Sequence, residues 1–128
     1  MKQITREMLR IYNPYSGLDW MNYRLIRGQV SYHHLLKRAD GGKKTIHNGA
    51  LLMPHAHNYL HVIECKEIKT YEMINKLFKI INTQLHEPNM EQRKIIEYLL
   101  LEFEDKHRED LNSKGKILIK DKYLRRWN

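Results

Sequence analysis

Cysteine is almost absent from this chain, with Cys65 as the one thiol among 128 residues. A single cysteine excludes an internal disulfide, which fits a reducing compartment, and it excludes a structural zinc site built from cysteine pairs. The chain also lacks an apolar run of membrane-spanning length, and Met1–Arg10 lacks a signal-peptide pattern. We therefore expect a cytoplasmic protein with one domain over residues 1–128 and no membrane contact.

Acidic residues are few compared with basic ones, with 15 Asp and Glu against 23 Lys and Arg and a formal net charge of +8. The excess is uneven along the chain. Met1–Lys44 carries +6, Thr45–Ser113 carries −3 and Lys114–Asn128 carries +5. Two basic segments around an acidic middle favour contact with a polyanion such as nucleic acid. Solubility alone is the alternative explanation.

Histidine is abundant by contrast, and four of the eight histidines occur with an asparagine in a regular order. Asn48 follows the second of two adjacent histidines by 14 residues, His57 follows Asn48 by nine, and His61 follows His57 by four. Residues four apart on a helix share a face. Neutral imidazole binds borderline cations such as zinc, copper and nickel, so the order predicts a metal site. The five residues are His33, His34, Asn48, His57 and His61.

The segments that carry these residues predict a β-hairpin followed by a helix. Val30–Leu36 is rich in β-branched and aromatic residues and predicts a strand, and Ala50–Met53 predicts the return strand. Ala39–Lys44 predicts the connecting turn. Pro54 suits the first turn of a helix, because its missing N–H would have had no partner there, so Pro54–Cys65 predicts a short helix. One ligand from the first strand and two from this helix can then converge on a metal.

Helices are predicted on both sides of this unit. Ile4–Tyr12 predicts a short helix, and Leu18–Ile26 predicts a helix or a strand that packs under the hairpin. Thr70–Leu85 has apolar residues at helical spacing, and a further helix begins at Asn89. The last two helices predict a core contact or a homodimer contact. The predicted organisation is α+β, with a core motif at 30–66, a helical extension at 70–110 and a basic tail at 114–128.

This arrangement resembles the HNH endonuclease family, whose ββα-metal core carries a first His pair, a central Asn and a last His. The segment NGALLMPHAHNYLH, Asn48–His61, is similar to the second half of that core, and His33–Leu35 is similar to its opening step. Arg38 and the pair Gly41 and Gly42 lie where such domains often carry an arginine and two glycines. The spacing is similar to that of nuclease colicins and many phage HNH proteins. The resemblance covers about a quarter to a third of the chain.

The resemblance implies a role for each residue of the motif. His33 and His57 would be metal ligands borne by the strand and the helix, and His61 would be a third ligand or a group that touches the scissile phosphate. His34 would be the general base that takes a proton from the attacking water. Asn48 would orient His34 through its side-chain amide and hold the loop in register. The family implies one divalent ion (Mg, Mn, Zn or Ni) and an origin in a phage, a mobile element or a bacterial cell.

The chain departs from the commoner family pattern at the structural zinc. Many HNH proteins carry two Cys-x-x-Cys pairs, but here Met53 and Ala56 replace the second pair and no pair precedes His33. We expect Met53 and Ala56 to pack in the core and the flanking helices to brace the hairpin. Cys65 is interpreted as a small buried apolar residue. The other histidines match no role in the motif and are interpreted as ordinary surface or core residues: His47, His55, His86 and His107.

The function predicted from these observations is metal-dependent hydrolysis of double-stranded DNA. Two other functions stay open: a DNA-binding module that keeps the metal as a brace without cutting, and a toxin that cuts RNA. The presence of His34 argues against the first, because a brace needs ligands but no base. Seven basic residues are predicted to contact the nucleic acid: Lys37, Arg38, Lys43, Lys44, Lys122, Arg125 and Arg126.

Overall fold

The computed structural model describes residues 3–12, 17–83 and 90–108. Within them the protein has one two-stranded antiparallel hairpin and four α-helices, which confirms the α+β class. The predicted tail 114–128, which includes Lys122, Arg125 and Arg126, lies outside the described residues, as does His86. In chain order the elements are α1 (Gln3–Tyr12), β1 (Ser31–His34), β2 (Gly49–Leu52), α2 (Pro54–Lys66), α3 (Ile68–Thr83) and α4 (Met90–Lys106).

The hairpin pairs β1 with β2 so that His33 lies opposite Ala50 and His34 lies opposite Gly49. All four residues of β2 are buried, whereas in β1 it is His33 that is buried. Successive strand residues point to opposite faces, so the register places His33 on the inner face and His34 on the other. The hairpin therefore separates the two adjacent imidazoles that the sequence motif places side by side.

A glycine pair closes the loop between the strands. Gly41 has a φ of 92°, in the left-handed region that favours glycine, and it ends a short 3₁₀ turn over Arg38–Asp40. A Cβ on Gly42 would collide with the carbonyl of Leu36. The turn predicted at Ala39–Lys44 is confirmed, and its glycines allow the backbone to fold closely against the end of β1.

Helix α2 begins at Pro54 directly after the return strand, and its inner face completes the core. Ala56, Tyr59, Leu60 and Ile63 are buried on this helix, and Met53 before it has no exposed surface. The prediction that Met53 and Ala56 pack in the core is therefore confirmed. The expectation that Cys65 is buried is wrong: its thiol is exposed, because the helical repeat turns this position away from the face that contains Ile63.

Helix α3 packs against both α2 and α4, and the three helices cover the core behind the hairpin. The predicted helices at Ile4–Tyr12 and Thr70–Leu85 are confirmed within a few residues at each end. No helix in the described ranges is long and apolar enough to span a membrane. The inner faces of α3 and α4 contribute large buried side chains: Ile74, Phe78 and Ile81, and Ile96, Leu100 and Phe103.

The segment predicted as a helix or strand at Leu18–Ile26 forms neither element. It is an irregular turn with one isolated bridge between Leu18 and Arg24. The cause is Asp19, which is fully buried and whose Oδ1 accepts hydrogen bonds from the N–H groups of Met21 and Tyr23, at 2.8 and 2.9 Å. A side chain that binds its own backbone in this way competes with helix and strand.

Buried polar side chains connect this turn to the hairpin and to α4. Arg93 donates to the carbonyl of Asp19 at 2.6 Å, and Asn22 donates to the carbonyl of Arg93 at 2.8 Å. The indole N–H of Trp20 donates to Asn82 Oδ1 at 3.0 Å, and Asn82 donates to the carbonyl of Gly49 at 2.8 Å. Helix α3 therefore braces the hairpin through hydrogen bonds, and α4 braces the turn that packs against it.

We predict that Asp19→Asn lowers the free energy of unfolding by about 2 to 4 kcal/mol, because an amide NH₂ would face backbone N–H donors that now bind a carboxylate. Burial raises the pKa of Asp19 to about 7 while the backbone bonds oppose that rise, so the test belongs at pH 8, where the carboxylate is ionised. Urea denaturation followed by circular dichroism measures the change. The exposed Asp40→Asn is the matched control, and equal midpoints for the two variants would contradict the prediction.

Candidate metal centre

Three motif histidines come together beside the hairpin. His33 lies on β1, His57 and His61 lie on α2, and one nitrogen from each falls within 4.8 Å of the others. The ring centroids of His33 and His57 are 5.2 Å apart, and those of His57 and His61 are 4.9 Å apart. The helix places its two rings on one face because four residues separate them, and β1 supplies the third from its inner face. These three histidines could hold a metal ion.

Burial decreases from His33 through His57 to His61, and burial of an imidazole favours its neutral form. His33 is 3% exposed, and this burial lowers its pKa to about 4, although a hydrogen bond to Asn75 opposes the shift. Burial also lowers the pKa of His57, and positive charge on His61 or His34 would add to that effect. An imidazole must be neutral to bind a cation, so both rings hold the required protonation state at neutral pH. The chemistry of the three rings thus fits a divalent ion.

The carboxylate of Glu64 contacts His61, which is the most exposed ring of the group. His61 Nδ1 lies 3.2 Å from Glu64 Oε1, and the second carboxylate oxygen of Glu64 pairs with the ammonium of Lys37. Burial raises the pKa of Glu64, but the hydrogen bonds from Lys37 and His61 outweigh it and leave the pKa below its usual value. Glu64 therefore stays ionised and links the end of the hairpin strand to α2. The ammonium of Lys37, predicted to contact nucleic acid, is engaged in this bridge.

His34 lies outside the group of three, on the other face of the strand. Its ring packs edge-on against Tyr32 at 4.9 Å between centroids, and Lys44 lies 5.4 Å above the same Tyr32 ring. Partial burial lowers the pKa of His34, and the positive charges of Lys44 and Arg38 lower it further. The ring is consequently neutral at neutral pH, which is the state that a proton acceptor needs.

Asn48 fastens the hairpin loop and makes no side-chain hydrogen bond to His34. Its amide nitrogen donates to the carbonyls of Leu36 and Lys43, at 3.1 and 2.9 Å, and its Oδ1 accepts from the N–H of Leu36 at 2.8 Å. The expectation that it holds the loop in register agrees with these bonds. The expectation that its amide orients the His34 ring directly does not, because both ends of the amide are bonded to backbone.

A cleft of about 480 Å³ opens beside the histidine group, between the residues that follow β1 and helix α3. Its apolar lining includes Leu36 and Ile68, both about half exposed. Its charged lining balances three lysines against three carboxylates: Lys37, Lys76 and Lys79, and Asp40, Glu64 and Glu72. Arg38, Lys43 and Lys44 lie exposed on the hairpin loop nearby in sequence.

Three residues outside the predicted motif contact the histidine group. Ser31 Oγ lies 3.0 Å from His57 Nδ1, Glu64 contacts His61, and Asn75 Oδ1 lies 3.0 Å from His33 Nε2. Two carried a local signal: Ser31 is two residues before His33 on the same strand face, and Glu64 is one helical turn after His61. Asn75 is 42 residues from its partner and carried none.

The other described histidines lie away from this group and fit their interpretation as ordinary residues. His47 is exposed, His55 packs edge-on against Tyr23, and His107 bonds to Glu67. Comparison of the chain with protein-family models, with curated proteins and with solved structures found no match.

The low pKa of His33 predicts an acid-sensitive fold in metal-free buffer. The folded-state pKa of about 4 lies below the unfolded value near 6.5, so the unfolded chain takes up this proton first as the pH falls. The stabilisation is complete above pH 6.5 and is lost toward pH 4. On acidification from pH 7 to pH 4.5 we expect the buried His33 to lower the free energy of unfolding by about 2 to 3 kcal/mol.

Urea denaturation of wild type and His33→Gln at both pH values measures that contribution. The variant should lose less stability than wild type on acidification, while the exposed His47→Gln should lose as much as wild type. Identical pH dependence in wild type and His33→Gln would show that the buried ring does not set the acid sensitivity.

Proposed function

We propose that this protein is a metal-dependent endonuclease of the HNH type that hydrolyses DNA phosphodiester bonds. The observation that carries the proposal is the convergence of His33, His57 and His61. The family resemblance implies that the first two are metal ligands and that His61 is a third ligand or a group that touches the scissile phosphate. The hairpin followed by a helix has the element order of the ββα-metal core that the resemblance implies.

The metal ligands and the proton acceptor would lie on opposite faces of β1. His33, His57 and His61 would hold the ion, which when bound supplies positive charge to the non-bridging and leaving oxygens of the phosphate. His34, on the other face, accepts the proton of the attacking water in its neutral state. Asn48 contributes by fixing the loop that follows His34, so that the strand end keeps one conformation.

Basic residues of the hairpin loop would contact the phosphate backbone on either side of the cut. Arg38, Lys43 and Lys44 are exposed and lie in the loop that directly follows His34. Burial lowers the pKa of His34, the charges of Lys44 and Arg38 lower it further, and the positive charge of the loop attracts phosphate. A double-stranded DNA substrate fits a basic chain whose positive charge is concentrated before and after the acidic helices.

Plasmid cleavage with each of Mg²⁺, Mn²⁺, Ni²⁺ and Zn²⁺ tests the proposal. We expect His34→Ala to lose about 100- to 10,000-fold in rate while keeping near wild-type metal affinity, because a base is lost and no ligand is. His57→Ala should lose both cleavage and metal binding, and its melting temperature should no longer rise on addition of the ion.

His47→Ala removes an exposed histidine outside the group and should leave rate and affinity unchanged. Wild-type protein that binds metal and DNA but cuts no plasmid would favour the non-cleaving module, and cleavage of RNA alone would favour the toxin. Loss of metal binding in His34→Ala would contradict the division of roles between His33 and His34.

DNA binding is predicted to be strongly salt-dependent. Each phosphate contact adds about 0.9 to the slope of log affinity against log salt, so Lys43→Ala with Lys44→Ala should flatten the slope by about 1.8. Deletion of Lys120–Asn128, which removes Lys122, Arg125 and Arg126, should flatten it further. Fluorescence anisotropy with a labelled duplex, in a His34→Ala background that does not cut, measures the slope.

Lys94→Ala is the matched control, because Lys94 is equally charged and exposed but lies on α4. Its slope should match that of the parent protein. A loop variant that keeps the parent slope would remove the hairpin loop from the DNA contact.

A further inference from the structure

Each ring of the histidine group has one nitrogen engaged by a protein oxygen. Nδ1 of His57 lies 3.0 Å from Ser31 Oγ, and Nδ1 of His61 lies 3.2 Å from a carboxylate oxygen of Glu64. Nε2 of His33 lies 3.0 Å from Asn75 Oδ1. A neutral imidazole carries one proton, so the oxygen at one nitrogen decides whether the other nitrogen presents a lone pair.

The direction of two of these bonds follows from the chemistry of the oxygens. Ser31 donates its single hydroxyl proton to the carbonyl of Leu52 at 3.0 Å, so toward His57 its oxygen can only accept. The carboxylate of Glu64 likewise accepts. His57 and His61 therefore carry their protons on Nδ1 and present lone pairs on Nε2.

His33 carries its proton on the opposite ring nitrogen from His57 and His61, and the residue responsible is Asn75. The side-chain carbonyl of Asn75 can only accept, so His33 carries its proton on Nε2 and presents a lone pair on Nδ1.

We propose that Asn75, on α3, is a positioning residue that selects the tautomer of His33 and so makes its Nδ1 the metal-binding atom. The proposal rests on the metal site of the proposed function, and it adds a residue from outside the hairpin and α2. Without an acceptor at this point the buried ring would be free to carry its proton on Nδ1, which blocks binding through that atom. Contacts of this kind typically change metal affinity by 10- to 100-fold when removed.

Long-range ¹H–¹⁵N spectra of the metal-free full chain read the tautomers directly. We expect His33 in the Nε2–H form and His57 and His61 in the Nδ1–H form. His33 in the Nδ1–H form in wild type would overturn the proposal, whatever the protein does to DNA.

Calorimetric titration with Zn²⁺ alone measures the effect on affinity. Asn75→Leu keeps the volume but removes the acceptor and should weaken binding by about 10- to 100-fold. Asn75→Asp keeps the acceptor and should bind at least as tightly as wild type. Asn58→Leu, the same change at an exposed position of α2, should bind like wild type. Wild-type affinity in Asn75→Leu would overturn the proposal.

If Asn75→Leu fails to fold, the wild-type tautomers and the affinity of Asn75→Asp decide. Weakened binding in Asn75→Asp would then contradict the role of the acceptor. Neither the tautomers nor the metal affinity depends on nuclease activity. A protein with these tautomers and an Asn75-dependent affinity that cuts no plasmid would retain this inference and refute the proposed activity.

Discussion

The carboxylate of Asp19 is the interaction on which the rest of the structure depends. Besides the two N–H groups of its own turn, it accepts the N–H of Met53 at 2.9 Å, at the point where the return strand ends and α2 begins. That bond fixes the direction in which α2 leaves the hairpin, and hence where His57 and His61 point. Arg93, which lies near enough to lower the pKa of Asp19 and donates to its carbonyl, extends the constraint to α4. The three backbone donors and Arg93 offset part of the cost of burying this carboxylate, whose pKa burial still raises, and they hold the turn in one conformation.

The hairpin, the helix that carries His57 and His61, and the three converging histidines could be predicted because each leaves a local pattern. The return strand was readable as a short apolar run between Asn48 and Pro54, and α2 from Pro54 and the four-residue spacing of His57 and His61. Met53 and Ala56 could be assigned to the core, because they are apolar and lie at positions where the motif that the sequence resembles often has cysteines. Features of the fold that depend on a local sequence pattern could therefore be predicted.

Most of the failures come from side-chain hydrogen bonds whose partners no local pattern indicates. The turn after Leu18 has strand-like composition, yet Asp19 folds it irregularly through bonds to its own backbone and holds it against Met53, 34 residues away. Asn48 was assigned to the imidazole of His34, but its amide satisfies the backbone of the loop, which no spacing rule distinguishes. Asn75 meets His33 across the packing of α3, and nothing in the sequence around Asn75 indicates an imidazole partner. Cys65 was misplaced because its apolar character outweighed the helical phase.

Met53 and Ala56, both without exposed surface, have a consequence for the order in which the protein is assembled. A small domain that depends on metal-bound cysteines remains unfolded until the ion arrives, so its folding and its metal supply are one event. Here the buried side chains of Met53 and Ala56 fill that place and the carboxylate of Asp19 sets the direction of α2, so the fold can form first with the three imidazoles already in position. On the proposed function, the chain could be made and stored as a folded but inactive protein, and the local concentration of a cation would decide when it begins to cut.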